Sequence, residues 1–162
     1  MIKTAILTIS DKGSRGERED GTGAIIKEKL DSSIYSTEYY KVIPDDMDKI
    51  VEELVFLCDE LKVNLVLTNG GTGFSKRDVT PEATMKVIKK YVPGICEAMR
   101  SSSLKITPKA MLSRAVAGIR NETLIVNLPG SPKGAVENLE VILPALPHGI
   151  DILRGEASEC AR

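Results

Sequence analysis

Histidine is almost missing from this sequence, and that removes whole classes of mechanism. The one copy, His148, stands between Pro147 and Gly149 near the carboxyl end, a surface or helix-junction position. Serine–histidine and cysteine–histidine catalysis would both have to run through it, which argues against them. Cysteine is scarce as well. Cys58, Cys96 and Cys160 are odd in number, far apart and without Cys-x-x-Cys spacing, so they read as reduced structural thiols rather than a zinc site. Four tyrosines and two phenylalanines are too few for a base-stacking platform, and a formal net charge of -1 leaves no basic footprint for nucleic acid. No apolar run reaches membrane-spanning length, and the amino terminus passes into a strand pattern over residues 3–10 without a signal-peptide core. A cytoplasmic protein with neither nucleic-acid nor membrane partners is expected.

Two familiar phosphate signatures are also absent. Gly73 is followed by Phe74, Ser75 and Lys76, so there is no P-loop, and neither Gly71-Thr-Gly73 nor Gly21-Thr-Gly23 continues into a dinucleotide fingerprint.

The 162 residues, 42% hydrophobic and 28% charged, fit one soluble globular domain spanning 1–162. Its focus is the stretch 65–84. A short apolar strand, 65–68, leads into Asn69, Gly70, Gly71 and Gly73, where three glycines in four positions expose the main chain. Lys76, Arg77 and Asp78 follow, and then Thr80 and Pro81 as N-cap and first residue of a helix. Strand, glycine loop, charged loop and helix form the arrangement that meets a ligand crevice in an open α/β sheet, and exposed loop N–H groups suit a phosphate. A plain tight turn is the competing account of the glycines.

Around it the pattern predicts a strand ending at Ser10 and Asp11, then a charged solvated loop over 12–20, then a helix over 21–30 capped by Asp20. A strand over 36–43 stops at Pro44, Asp45 and Asp46, and a helix over 47–61 carries Ile50, Val51, Leu54, Val55, Leu57 and Cys58 on its apolar face. The helix from Thr80 is expected to reach residue 90 with Met85, Val87 and Ile88 buried. Helical pieces over 95–103 and 105–113 follow, then an antiparallel hairpin over 115–128. Pro129, Gly130, Ser131, Pro132, Lys133 and Gly134 open a last helix over 135–143, a second anion-ready terminus, with 146–154 as its continuation. The fold class is α/β: a doubly wound, mostly parallel twisted sheet with helices on both faces and a small antiparallel hairpin.

Asp45 and Asp78 each follow a parallel strand and so belong at the carboxyl edge. Each has an ordinary fate open to it: Asp45 or Asp46 as a helix cap, Asp78 as a partner for Arg77 or Lys76. Together with two converging glycine loops they also make a phosphate-handling site. In that site two carboxylates hold Mg²⁺, and Lys76, Arg77 or Lys133 offsets the remaining negative charge.

The run Gly70-Gly-Thr-Gly-Phe-Ser-Lys-Arg-Asp-Val-Thr-Pro-Glu-Ala-Thr84 closely resembles the signature of the molybdopterin adenylyltransferases, the MogA/MoaB-like family, which includes the gephyrin and plant molybdenum-cofactor G domains. Ile9-Ser-Asp11, Ile43-Pro-Asp45, Ser103-Leu-Lys-Ile-Thr-Pro108, Ser113-Arg-Ala-Val-Ala-Gly-Ile-Arg120 and Asn127-Leu-Pro-Gly130 are similar to the family's other blocks, in its order, so the likeness spans essentially the whole chain. It implies transfer of AMP from Mg-ATP to the terminal phosphate of molybdopterin, with release of pyrophosphate, ahead of molybdenum insertion. It implies Asp45 and Asp78 as catalytic and metal-binding residues. Ser10, Asp11, Gly70, Gly71, Thr72, Gly73, Phe74, Ser75, Thr80, Pro81, Pro129, Gly130, Ser131 and Lys133 become the substrate-binding set, with Ser10 and Asp11 on the nucleotide side. A homotrimer, with hexamers among relatives, and a separate molybdenum-insertion protein are further implications. Non-catalytic MoaB-type molybdopterin carriers share the fold. They tend to lose the Arg-Asp-Val-Thr pattern or the Pro-Asp carboxylate, both kept here.

Overall fold

The computed structural model describes residues 1–157, so the expectation for Cys160 lies outside the described residues. Strand β1 (Ile2–Ile9) is buried everywhere except Lys3, and β3 (Leu65–Asn69) is buried throughout, as strands covered on both faces must be. β1 pairs in parallel with β2 (Tyr35–Ile43) on one side and with β3 on the other; β3 pairs in parallel with β6 (Thr123–Leu128). β5 (Ala117–Arg120) runs antiparallel to β6, and β4 (Lys90–Tyr91) antiparallel to β5, giving the order β2-β1-β3-β6-β5-β4. The chain steps from β1 outward to β2 and then crosses to β3 on the other side. The order therefore reverses between β1 and β3, where such sheets open a crevice at their carboxyl ends.

Alternating side chains feed two cores. On one face Ile6, Leu65, Leu67 and Val126 pack with Ile26 of α2 (Gly21–Lys29), Met99 of α5 (Pro93–Leu104), Leu139 of α6 (Pro132–Ile142) and Ile150 of α7 (Leu146–Leu153). On the other, Leu7, Val66 and Ile125 pack with Ile50 and Leu54 of α3 (Met47–Val55) and with Ala83 and Val87 of α4 (Thr80–Val87). At about 1.5–3 kcal/mol for each fully buried aliphatic side chain, these seams supply most of the drive to fold. Cys58 and Cys96 lie within them as free thiols, and burial pushes both up to about 11.

Several expectations are corrected. Residues 12–14 of the segment expected as a solvated loop join Asp11, expected at the end of the first strand, in a short helix, α1 (Asp11–Ser14), with the Ser10 side chain accepting from the Gly13 N–H as its cap. The helix from Met47 is α-helical only to Val55 and closes with a π turn, Phe56–Glu60. Helix α4 stops at Val87, followed by strand β4 rather than more helix, and Met85 is exposed while Ala83 and Thr84 face inward. Pro93 and Gly94 open α5 instead of interrupting a helix, and Pro132 and Lys133 lie inside α6, capped by Ser131. Residues 146–153 form a helix of their own, not a continuation of α6.

Buried Asn127 ties four elements together. Its Nδ2 donates to Thr68 Oγ1 on β3 at 2.9 Å and to Thr84 Oγ1 on α4 at 3.0 Å, and its Oδ1 accepts from the Val116 N–H at the entry to β5 at 3.2 Å. Asn127→Ala leaves these groups unpaired in a dry interior and is expected to cost about 2–3 kcal/mol. Thermal unfolding should show a melting temperature roughly 5–10 °C lower; a shift under about 1 °C would contradict the role of this residue.

Candidate functional site

The loop after β3 is shaped by its glycines. Gly70 (φ +97°) and Gly71 (φ +69°) occupy the left-handed region. A side chain on Gly70 would overlap the Ile9 carbonyl at the end of β1, and one on Gly71 would meet the Thr80 hydroxyl and lie 3.1 Å from Asp45 Oδ1. Thr80 is not the N-cap; that place belongs to Val79, which makes no side-chain capping bond. The Thr80 hydroxyl instead donates to the Gly70 carbonyl at 2.9 Å and its N–H to the Gly71 carbonyl at 3.2 Å, tying α4 to the loop. Arg114 holds the other side. Its Nε donates to the Gly73 carbonyl and its Nη2 to the Asp78 carbonyl, both at 2.8 Å, while Nη1 pairs with Glu82.

Three carboxylates meet here. Asp11 and Asp45 form a reciprocal clasp: Asp45 Oδ2 accepts from the Asp11 N–H at 2.9 Å, and Asp11 Oδ1 accepts from the Asp45 N–H at 3.0 Å. Arg77 reaches across to Asp11 with two bonds of 2.9 and 3.0 Å, and this pairing holds the Asp11 carboxyl below its ordinary value. Asp78 Oδ2 accepts from the N–H groups of Gly73 and Ser75 at 3.0 and 3.2 Å. Asp46, not Asp45, caps α3, and Arg77 pairs with Asp11 rather than with Asp78. Both aspartates are thus released from their ordinary fates, and each keeps Oδ1 outside these bonds.

The glycine loop is a partition between two cavities. One, of about 560 Å³, is lined by Ser10, Asp20, Asn69, Gly70 and Gly130 among others. The second, of about 300 Å³, is lined by Thr72, Gly73, Arg100, Pro129 and Asn138 among others, and Ser131 borders both. Asp45 beside Gly71 and Asp78 against Gly73 adjoin the loop, although neither lines either cavity. Phe74, 71% exposed, is the loop's tip, and Pro81 is buried at the start of α4. Lys133 points away on α6 toward Glu137 at 4.0 Å and lines neither cavity. Arg100, Arg114 and Asn138 were not singled out from sequence, and Asn69 only as a turn residue; Arg114 lies within a family-like block, but its reach to Gly73 spans 41 residues.

Among the described residues no three His, Cys, Asp or Glu side chains form a ready-made cation cage. That donor set suits Mg²⁺ bound by one or two carboxylates and completed by substrate phosphates and water. Burial raises the Asp45 carboxyl above its ordinary 3.8; the Asp11 N–H opposes the rise, and the charges of Asp11 and Asp78 add to it. A carboxyl whose folded value lies above its unfolded one costs stability as pH rises through that folded value, and the cost is fully present at neutral pH. Metal-free Asp45→Asn is therefore expected to melt higher than the parent at pH 7, with the gap closing as pH falls to 3.8. A parent that melts higher at every pH would contradict this.

Similarity to known proteins identifies the family. Residues 5–148 match the family model described as "Probable molybdopterin binding domain". The chain is 46% identical over 156 residues to a molybdopterin adenylyltransferase of Helicobacter pylori, covering 95% of this chain and 89% of that one. It is 38% identical to the molybdopterin adenylyltransferase of Escherichia coli K12, over 99% of this chain and 89% of that one. The crystal structure of the molybdopterin biosynthesis enzyme MoaB from Thermus thermophilus superposes with a TM-score of 0.92 at 48% identity, covering 98% of this chain and all of that one. This chain belongs to the MogA/MoaB-like family of molybdopterin adenylyltransferases.

Proposed function

We propose that this protein transfers AMP from Mg-ATP to the terminal phosphate of molybdopterin and releases pyrophosphate. The observation that carries the reading is the partition: two cavities share one glycine loop, and two carboxylates with uncommitted oxygens adjoin it. Two substrates entering from opposite sides would meet there. The wider cavity, next to Ser10, suits the nucleotide, and the narrower one suits the pterin.

An oxygen of the pterin's terminal phosphate attacks the α-phosphorus of ATP and forms a phosphoanhydride. The bond from the α-phosphorus to the bridging oxygen breaks, and its electron pair leaves with pyrophosphate. A phosphate monoester loses its second proton near pH 6, so the attacking group is already an oxyanion and no histidine is needed. The obstacle is repulsion between two anions. Asp45 and Asp78 would hold Mg²⁺, which when bound withdraws charge from the phosphate oxygens as a Lewis acid. Main-chain N–H groups of the loop would orient the phosphates in line, and Arg114 keeps that loop in shape through the carbonyls of Gly73 and Asp78. The Asp11–Arg77 pair lets a third carboxylate stay beside Asp45 without adding its full charge to the site.

Pyrophosphate release from Mg-ATP should depend on added molybdopterin. Asp78→Asn is expected to lower that rate by at least about 100-fold while pterin affinity stays within a few-fold, since the side chain acts on the transition state. Equal loss of binding and transfer would contradict the assignment. Tight pterin binding without pyrophosphate release in the parent protein would mark a carrier instead.

A further inference from the structure

The wider cavity contains a fixed acid to which the transfer step assigns no part. Asp20 lines its wall, and its carboxylate is held from three directions. Oδ2 accepts from the Thr8 hydroxyl at 2.6 Å and from the Tyr40 hydroxyl; Oδ1 accepts from the Gly23 N–H at 2.9 Å. The Thr8 hydroxyl in turn accepts from Asn69 Nδ2 at 2.9 Å, and Asn69 is the residue that opens the glycine loop. Burial and the Asp20 carboxylate push the Tyr40 phenol up to about 12, so it remains a donor to Asp20. Gly23 lies so close that any side chain there would overlap Asp20 and Tyr40, so only glycine lets the carboxylate take this position.

One cavity therefore has two unlike ends. At Gly70 the main chain bends through the left-handed region beside the partition; at Asp20 there is an immobile anion. Arg18 and Glu19 line the wall beside it with opposite charges, and what Asp20 adds is a fixed acceptor suited to a neutral group bearing hydroxyls. Through the single Thr8 hydroxyl, Asp20 is linked to Asn69, the residue that opens the loop, and both line the same cavity.

We propose that Asp20 is a specificity-determining residue that accepts a hydrogen bond from a ribose hydroxyl of the nucleotide and selects ribonucleotides over deoxyribonucleotides. This rests on the adenylyl-transfer reading for the identity of the nucleotide. Thr8, Tyr40 and Gly23 position the carboxylate.

The test compares ATP with its 2′-deoxy and 3′-deoxy analogues, in pterin-dependent pyrophosphate release and in calorimetric Kd. It uses the parent protein, Asp20→Ser and Asp20→Asn, since serine and asparagine both retain an acceptor for the cap of α2. The parent should prefer ATP over one analogue by about 10- to 100-fold, the scale for a charged acceptor losing its donor. That ratio should collapse to within about 3-fold in Asp20→Ser and fall part of the way in Asp20→Asn, a change that simple loss of a helix cap would not produce. Equal use of all three nucleotides by the parent, or a preference that survives in Asp20→Ser, would overturn the proposal. A ribose preference in Kd without turnover would overturn adenylyl transfer and leave the role of Asp20 supported.

Discussion

Three carboxylates crowded onto one edge of a sheet must all stay usable, and the local structure is arranged around that electrostatic problem. Asp11, Asp45 and Asp78 come from three different loops, and their mutual repulsion would spread those loops apart. Backbone N–H groups and one guanidinium hold them together. Asp11 and Asp45 accept each other's main-chain N–H, Asp78 accepts two from the glycine loop, and Arg77 reaches over to neutralise Asp11. Asp45 is half-buried, and burial first, with the charges of Asp11 and Asp78 adding to it, raises its carboxyl value despite the bond from the Asp11 N–H. An anionic site that is costly while empty suits a divalent cation arriving with phosphates.

The fold makes this crowding possible by bringing backbone against backbone. The order of strands reverses between β1 and β3, so the chain leaves the sheet in different directions on either side of one crevice. Gly70 fills that gap against the Ile9 carbonyl, Gly130 packs on Gly70 from the β6 side, and the loop becomes a thin wall with a cavity on each side. In a two-substrate transfer the reacting phosphates have to come within about 3–3.5 Å of each other, so they would meet at the edge of this loop rather than through it. The polar pins beneath it, Asn127 on one face and the Thr8–Asp20–Tyr40 cluster on the other, carry the rigidity of the sheet into the loop.

What was legible in the sequence was local. The buried run of β3, the glycines after it, and Asp20 as the cap of α2 announce themselves within a few residues. The mostly parallel sheet followed from the alternation of strand and helix patterns, whereas the strand order did not. Interactions across long separations were not legible: the clasp joins residues 34 apart, and Arg114 reaches back 41 residues to Gly73. Thr80 misled because threonine before proline is a strong cap signal, while its hydroxyl serves the loop instead. Met85 misled for a different reason. Helix α4 approaches the sheet through Thr80, Ala83, Thr84 and Val87, and Met85 lies on the opposite face toward solvent. Strand β4, two exposed residues long, has no apolar pattern to reveal it.

The central claim is direct transfer of an adenylyl group between two substrates that meet at the glycine loop. Mass spectrometry of the pterin after a single turnover with Mg-ATP, its terminal phosphate labelled with oxygen-18, tests that most directly. Direct attack predicts AMP joined to the pterin phosphate with the label kept in the new phosphoanhydride and none in pyrophosphate. Label in the pyrophosphate, or unmodified pterin bound beside intact ATP, would contradict it.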